Sequence, residues 1–251
     1  MKVIILENYD EVSREAARII ARQVLRKPDS VLGLATGSTP EGTYANLARM
    51  CDEGLISFQE VISYNLDEYV GLKPEHEQSY SCFMKQKLFD HIDIRPENTH
   101  LLSGIAEDVQ HECDAYEMAI DRSGGIDLQL LGIGGNGHIA FNEPSDAFAP
   151  STHRVKLDER TCADNARFFD RVEDVPSHAL SMGIGSIMRA RSILLLATGK
   201  NKAEAIRNTV QGPVTPQVPA SVLQLHPDVT LLIDAEAASL LLAQTEAESN
   251  A

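Results

Sequence analysis

Residues 126–144, Ile-Asp-Leu-Gln-Leu-Leu-Gly-Ile-Gly-Gly-Asn-Gly-His-Ile-Ala-Phe-Asn-Glu-Pro, constrain this chain more than any other stretch. An aliphatic run stops at a glycine cluster that passes directly to a histidine, an asparagine, a glutamate and a proline. The run 126–131 is short and follows the breaker Gly124-Gly125, which predicts a strand buried on both faces, as in a parallel sheet. Gly132, Gly134, Gly135 and Gly137 permit a tight turn and a close approach of backbone to ligand. His138 and Glu143 then fall at the carboxyl end of the strand, where open α/β sheets place their ligands. Two other readings compete. Gly132-Ile-Gly134-Gly-Asn-Gly137 fits the dinucleotide fingerprint G-x-G-x-x-G, with Asp158 about 20 residues on. That fingerprint needs a helix opening at its last glycine, and Pro144 comes too soon for a stable one. The other is a glycine turn with an incidental histidine.

The rest of the chain alternates strand and helix patterns. Strands are predicted over 3–6, 31–36, 60–65, 99–102, 179–183, 193–198 and 229–234, with helices over 10–26, 79–92, 107–121 and 200–210 and a start near 186–189. The first helix carries Val12, Ala16, Ile19, Ile20 and Val24 on one face. The chain thus opens as a βαβ unit that should cross over right-handed to a parallel partner. The expected fold is α/β: one open, mostly parallel, doubly wound (Rossmann-like) sheet with helices on both faces, forming one domain over 1–251. Ser145, Asp146, Pro150 and Ser151 mark 144–154 as a loop, and the segment around 144–170 is placed to act as a lid.

Charge narrows the ligand. A net charge of −15 argues against nucleic acid, whose binders present a basic face to phosphates. An anionic ligand must be met locally, and 10 of the 22 Lys and Arg residues fall between Arg154 and Arg207. No apolar run approaches a membrane span, and Met1-Lys-Val-Ile-Ile-Leu meets Glu7 too early for a signal peptide, so a cytoplasmic protein is expected. Cys51, Cys82, Cys113 and Cys162 stand far apart without a C-x-x-C pair, which argues against zinc or a disulfide framework.

Two further stretches carry chemistry. Ala35-Thr36-Gly37-Ser38-Thr39 ends a strand just before a helix, with Thr39 suited to the N-cap, Pro40 to the first helical position and Glu41 to the positive helix end. A plain cap explains this turn, and so does a cradle of amides and hydroxyls for phosphate. Leu34-Ala-Thr-Gly37 is echoed by Leu196-Ala-Thr-Gly199, and the second copy brings Lys202. Asp67 and Glu68 are adjacent acids at a strand end. Their side chains should point to opposite sides. Either both are structural or solvent-facing, as surface acids commonly are in so acidic a chain, or one faces the crevice as a base.

Together, Leu32-Gly-Leu-Ala-Thr-Gly-Ser-Thr-Pro40, Asn65-Leu-Asp-Glu-Tyr-Val-Gly-Leu72, Leu131-Gly-Ile-Gly-Gly-Asn-Gly-His-Ile-Ala-Phe-Asn-Glu-Pro144, Asn165-Ala-Arg-Phe-Phe169 and Gly199-Lys-Asn-Lys-Ala203 resemble the glucosamine-6-phosphate deaminase family, within the glucosamine-6-phosphate isomerase/6-phosphogluconolactonase superfamily. The resemblance implies conversion of glucosamine 6-phosphate and water to fructose 6-phosphate and ammonia, as in amino-sugar catabolism, with no metal or organic cofactor. It implies that His138 opens the ring, with Asn136 and Glu143 orienting and tuning the imidazole, and that Asp67 carries a proton from C2 to C1. It places the phosphate on Gly37, Ser38, Thr39, Arg167 and Lys202. Some members carry aspartate where this chain has Asn136. The chain also stops about a helix after Asp234, shorter than in hexameric members activated by N-acetylglucosamine 6-phosphate, so a monomer or homodimer without that activation is expected. A non-catalytic sugar-phosphate sensor and a 6-phosphogluconolactonase-type hydrolase are the competing functions.

Overall fold

The computed structural model describes residues 1–241 except 159–161, 163–165, 167–168, 170 and 172–173. Its first strand, β1 (Lys2–Leu6), leads into α1 (Tyr9–Arg26), whose Asn8 cap accepts a hydrogen bond from the Glu11 amide. Val12, Ala16, Ala17, Ile20, Ala21 and Val24 form the buried face of α1, close to the expected stripe; Ile19 lies at its margin. The chain continues through β2 (Val31–Leu34), α2 (Glu41–Asp52), β3 (Ile62–Asn65), β4 (Asp67–Tyr69), α3 (Tyr80–Lys87), β5 (Thr99–His100), α4 (Val109–Arg122) and β6 (Leu128–Leu131). It ends with β7 (His153–Lys156), β8 (His178–Ser181), α5 (Ile184–Met188), β9 (Ser192–Ala197), α6 (Ala203–Gln211) and β10 (Val229–Asp234).

Seven strands form one parallel sheet in the order β1-β10-β9-β6-β2-β3-β5. Every residue of β2 and β6 is buried, as expected for central strands covered on both faces. The opening βαβ unit does join two strands of the sheet, but β10, β9 and β6 lie between them. From β2 the chain steps to β3 and β5, whereas from β6 it steps the other way, to β9 and β10. Right-handed crossovers then send the connections of these two neighbours to opposite faces, so a crevice opens above their carboxyl ends. That topological switch point locates the site.

A second sheet, antiparallel in the order β4-β8-β7, was not legible as such in the sequence. The run expected over 179–183 is β8 of this small sheet, and the loop expected over 144–154 ends in β7. Other boundaries move for local reasons. The helix expected over 79–92 stops at Leu88, whose φ of −140° leaves helical space, and a 3₁₀ turn follows over Phe89–His91. The helix expected from 200 opens with a 3₁₀ turn over Lys200–Lys202. Thr39 does not cap α2: Pro40 occupies the cap position in helical geometry without a side-chain bond. Instead the Tyr9 hydroxyl, reaching across from α1, accepts the Gly42 amide at 2.8 Å. Among the described residues no helix is long and apolar enough to cross a membrane.

Glu117 on α4 fastens the small sheet to the body. Its carboxylate accepts hydrogen bonds from the Thr152 amide (2.7 Å) and hydroxyl (2.6 Å) and from Ser186, and pairs with Arg189 at 2.6 Å. Burial alone would raise its pKa, but the Ser186 and Thr152 hydrogen bonds and Arg189 hold it below the ordinary glutamate value. A depressed folded pKa contributes stability that is present at neutral pH and is lost as pH falls toward the carboxylate range. Glu117→Ala should therefore destabilise the protein by about 1–3 kcal/mol in urea titrations at pH 7. The deficit should shrink when the same titrations are run near pH 4, and a deficit independent of pH would contradict this account.

Candidate active site

The cleft at the switch point has a volume of about 700 Å³ and is lined by the turn after β2, by β4, by the glycine-rich turn after β6 and by Lys202. The turn after β2 leaves the strand through Gly37, whose φ of +93° is open to glycine and strained for other residues. Its echo leaves β9 through Gly199 with φ +89°, and Asn201 and Lys202 beyond it reach the same cleft. The repeated Ala-Thr-Gly therefore marks two turns at one crevice. They are not equivalent: the Gly199 amide is already committed to the Asp234 carboxylate at 2.9 Å. The first turn is braced by Tyr9, whose hydroxyl donates to the Ser38 carbonyl at 3.1 Å.

The adjacent acids separate as alternation requires. Glu68 turns away from the cleft and accepts hydrogen bonds at 2.9 Å from the amides of Tyr69, Tyr80 and Ser81, so it ties β4 to the start of α3. Asp67 lines the cleft and is only 6% exposed. Burial first, then the Glu68 charge, pushes its carboxyl up to about 8, against a hydrogen bond from the Thr36 side chain that favours the ionised form.

The glycine-rich turn opens no helix. Residues 132–144 run as turns closed by an isolated bridge between Ile139 and Asn142, so the dinucleotide reading lacks its required helix terminus. Gly134 is needed for the histidine: a Cβ there would stand 2.3 Å from the His138 ring. Gly137 adopts φ +87°, and Ala140 is the one non-glycine residue with positive φ among those described, at +49°. Such strain persists where neighbours impose it. Here the Phe141 amide donates to Ser181 Oγ (3.0 Å), and Asn142 Nδ2 donates to the carbonyls of Ile139 (3.0 Å) and Met182 (2.8 Å). Ser181 is also the register partner of Asp67, so β8 holds the acid and the histidine loop together.

Glu143 Oε2 stands 3.3 Å from His138 Nδ1, but off the line a ring N–H would take. The Asn136 side chain bonds to Glu143 and to the His138 backbone. Its Nδ2 donates to Glu143 Oε2 at 2.9 Å and its Oδ1 accepts the His138 amide at 3.1 Å. These bonds give Asn136 a route to the ring through Glu143 and the His138 backbone.

Of the residues singled out in the sequence, Gly37, Ser38, Thr39, Asp67, His138 and Lys202 line the cleft, and Asn136 and Glu143 stand behind the histidine. Arg167 lies outside the described residues. Sequence reading missed Thr36, although it stands in the repeated Ala-Thr-Gly, and it missed Tyr9, which carries no local signal. It also missed an aromatic wall in which Tyr69 packs against Tyr80 (4.9 Å between ring centroids) and Phe141 (5.5 Å). Among the described residues no cluster of His, Cys, Asp and Glu could hold a metal ion.

A crevice at the seam of β2 and β6, with a buried acid facing a histidine turn, places the chain among α/β enzymes that work at a topological switch point. The chain belongs to the family described as glucosamine-6-phosphate isomerases/6-phosphogluconolactonase, whose model matches residues 7–232. Within it, the chain is 57% identical over 241 residues to a glucosamine-6-phosphate deaminase of Thermoanaerobacter pseudethanolicus, covering 96% of this chain and 95% of the relative. It is 58% identical to one of Halothermothrix orenii, covering 96% and 100%. A solved structure of a monomeric glucosamine-6-phosphate deaminase superposes with a TM-score of 0.94 at 50% identity, covering 96% of this chain and all of that one. The 6-phosphogluconolactonase of Trypanosoma brucei, at 19% identity and a TM-score of 0.74 over 95% of this chain and 97% of that one, shares the fold.

Thr36 offers a direct test of the acid's electrostatics. Thr36→Val removes a hydrogen bond that stabilises the carboxylate, so the Asp67 pKa should rise above its value of about 8. If the ionised acid is the working form, the acid limb of kcat/KM should move to higher pH. A limb that stays put or moves down would show that Thr36 does not act on Asp67.

Proposed function

We propose that this chain converts glucosamine 6-phosphate and water to fructose 6-phosphate and ammonia. The observation that carries the reading is the placement of Asp67 and His138 in one cleft with the Gly37–Thr39 turn. His138 suits ring opening, which takes a proton from the anomeric hydroxyl and delivers one to the ring oxygen. Glu143, held by Asn136, stands beside it to stabilise the imidazolium. Asp67 then removes the C2 proton from the open-chain aldehyde and returns it to C1 through an enol intermediate. This leaves an imine at C2, which water hydrolyses to the ketone with release of ammonia. A carboxyl with a pKa near 8 is a stronger base, once ionised, than an ordinary aspartate, which suits removal of a proton from carbon. We assign the phosphate to Gly37, Ser38, Thr39 and Lys202, and by family likeness to Arg167.

A lactonase would leave Asp67 without a carbon acid to act on, and a sensor would have no need of a buried acid. In this reading residues 1–251 act as one domain in the cytoplasm, as a monomer like the 50%-identical relative. We assign lid motion to the segment around 144–170, of which 159–161, 163–165, 167–168 and 170 lie outside the described residues, while Phe169 lines the cleft.

Two variants test the assignments. Asp67→Asn should retain substrate and lose both ammonia release and exchange of the C2 hydrogen in deuterated water by several orders of magnitude. Because the folded pKa of Asp67 lies above the ordinary aspartate value of 3.8, ionising it in place costs stability progressively from about pH 4 to about pH 8. Asp67→Asn should therefore raise Tm over wild type at pH 8.5 and much less at pH 5. Wild-type exchange rates in the variant would remove Asp67 from the reaction. Lys202→Ala should raise KM for glucosamine 6-phosphate by roughly 10- to 150-fold, the scale of a charge-assisted contact of 1.5–3 kcal/mol. It should leave unphosphorylated glucosamine largely unaffected, and equal losses on both substrates would make Lys202 structural.

A further inference from the structure

At the rim of the cleft lies an ion pair that the proposed reaction does not use. Glu41, the first residue of α2, and Lys87, the last residue of α3, meet at 2.8 Å, with side chains 35% and 41% exposed. Both line the same cleft as Gly37, Ser38 and Thr39. Glu41 follows that turn by a single proline, at the end of α2 where amides and helix dipole favour an anion. The Glu41 carboxylate is itself an anion at that helix start, paired with Lys87. A phosphate dianion arriving at the turn meets a like charge on the neighbouring residue, and at a partly exposed rim this repulsion is screened but not abolished. Lys87, brought in from another helix, is placed to cancel it.

We infer that Lys87 is a positioning residue for the phosphate. It holds and neutralises Glu41, and so sets the preference of the cleft for a phosphorylated over an unphosphorylated sugar without touching the phosphate. The inference rests on the sugar-phosphate reading of the site. It differs in outcome from direct contact, in which Lys87 would leave Glu41 for the phosphate.

Steady-state kinetics of wild type, Lys87→Ala, Lys87→Arg, Glu41→Gln and the double variant Glu41→Gln/Lys87→Ala separate the two, with glucosamine 6-phosphate and glucosamine as substrates. Lys87→Ala should raise KM for the phosphorylated sugar by about five-fold, the scale of a half-exposed charge pair, with kcat held and KM for glucosamine unchanged. Lys87→Arg should stay near wild type, and adding Glu41→Gln to Lys87→Ala should bring KM back to within about two-fold of wild type. A double variant as weak as Lys87→Ala would overturn the inference in favour of direct contact, and so would equal losses on both substrates or a fall confined to kcat. Calorimetric titration with inorganic phosphate repeats the comparison without turnover. If wild type fails to deaminate the sugar but the phosphate affinities follow the same order, the reaction assignment falls and the pair stands. If the affinities do not differ, the pair falls whatever the reaction.

Discussion

The site depends on one constraint, the seam between β2 and β6. These strands are parallel neighbours at the centre of the sheet, yet the chain leaves them in opposite directions. Backbone diverging above a continuous parallel ladder leaves a crevice that neither connection can fill. The seam itself is closely built: Gly33 of β2 faces Gln129 of β6, and a Cβ at residue 33 would fall 2.0 Å from the Gln129 side chain. The turns after the two strands, 35–39 and 132–138, thereby become opposite walls of one cleft.

On that seam the protein holds groups that would be more stable elsewhere. Asp67 is buried at the cost of its charge, Ala140 adopts a left-handed backbone, and His138 Nδ1 is buried without an in-line hydrogen-bond partner. Each is kept in place by something rigid. β8 pairs with Asp67 and accepts the Phe141 amide, Glu117 binds Thr152 and Ser186, and Gly134 leaves room for the imidazole. Preorganisation of this kind means that solvent need not reorganise where charge develops in the cleft. The small antiparallel sheet is thus the brace that sets the acid against the histidine.

Charge is handled with the same economy. This acidic chain lines the cleft with neutral donors and few cations: a turn of small residues at a helix start, a lysine beyond Gly199, and a rim lysine paired with a glutamate. Glu41 begins a helix and Glu68 stands in a strand, yet folding brings both carboxylates to helix starts. Only Glu68 spends its carboxylate on helix amides, whereas Glu41 turns to Lys87.

The sequence by itself determined the parallel α/β architecture, because short aliphatic runs alternating with amphipathic helices can bury themselves in few other ways. It also determined the two Ala-Thr-Gly turns and the histidine turn, since glycine clusters at strand ends carry their conformational meaning locally. Other features depended on contacts between residues far apart in the chain. Periodicity cannot distinguish an antiparallel partner from another parallel strand, so the strand expected over 179–183 carried no sign of its separate sheet, and β7 had no signal of its own. Adjacent acids are equivalent until one meets the amides of α3 and the other the cleft. The residues that Asn136 meets, the Glu143 side chain and the His138 amide, are set by the turn geometry. Tyr9 and Lys87 lie on helices that reach the site only after folding. Strand and turn chemistry is written in neighbouring residues; charge, burial and partnership at the cleft arise from segments brought together, and only the tertiary structure decided them.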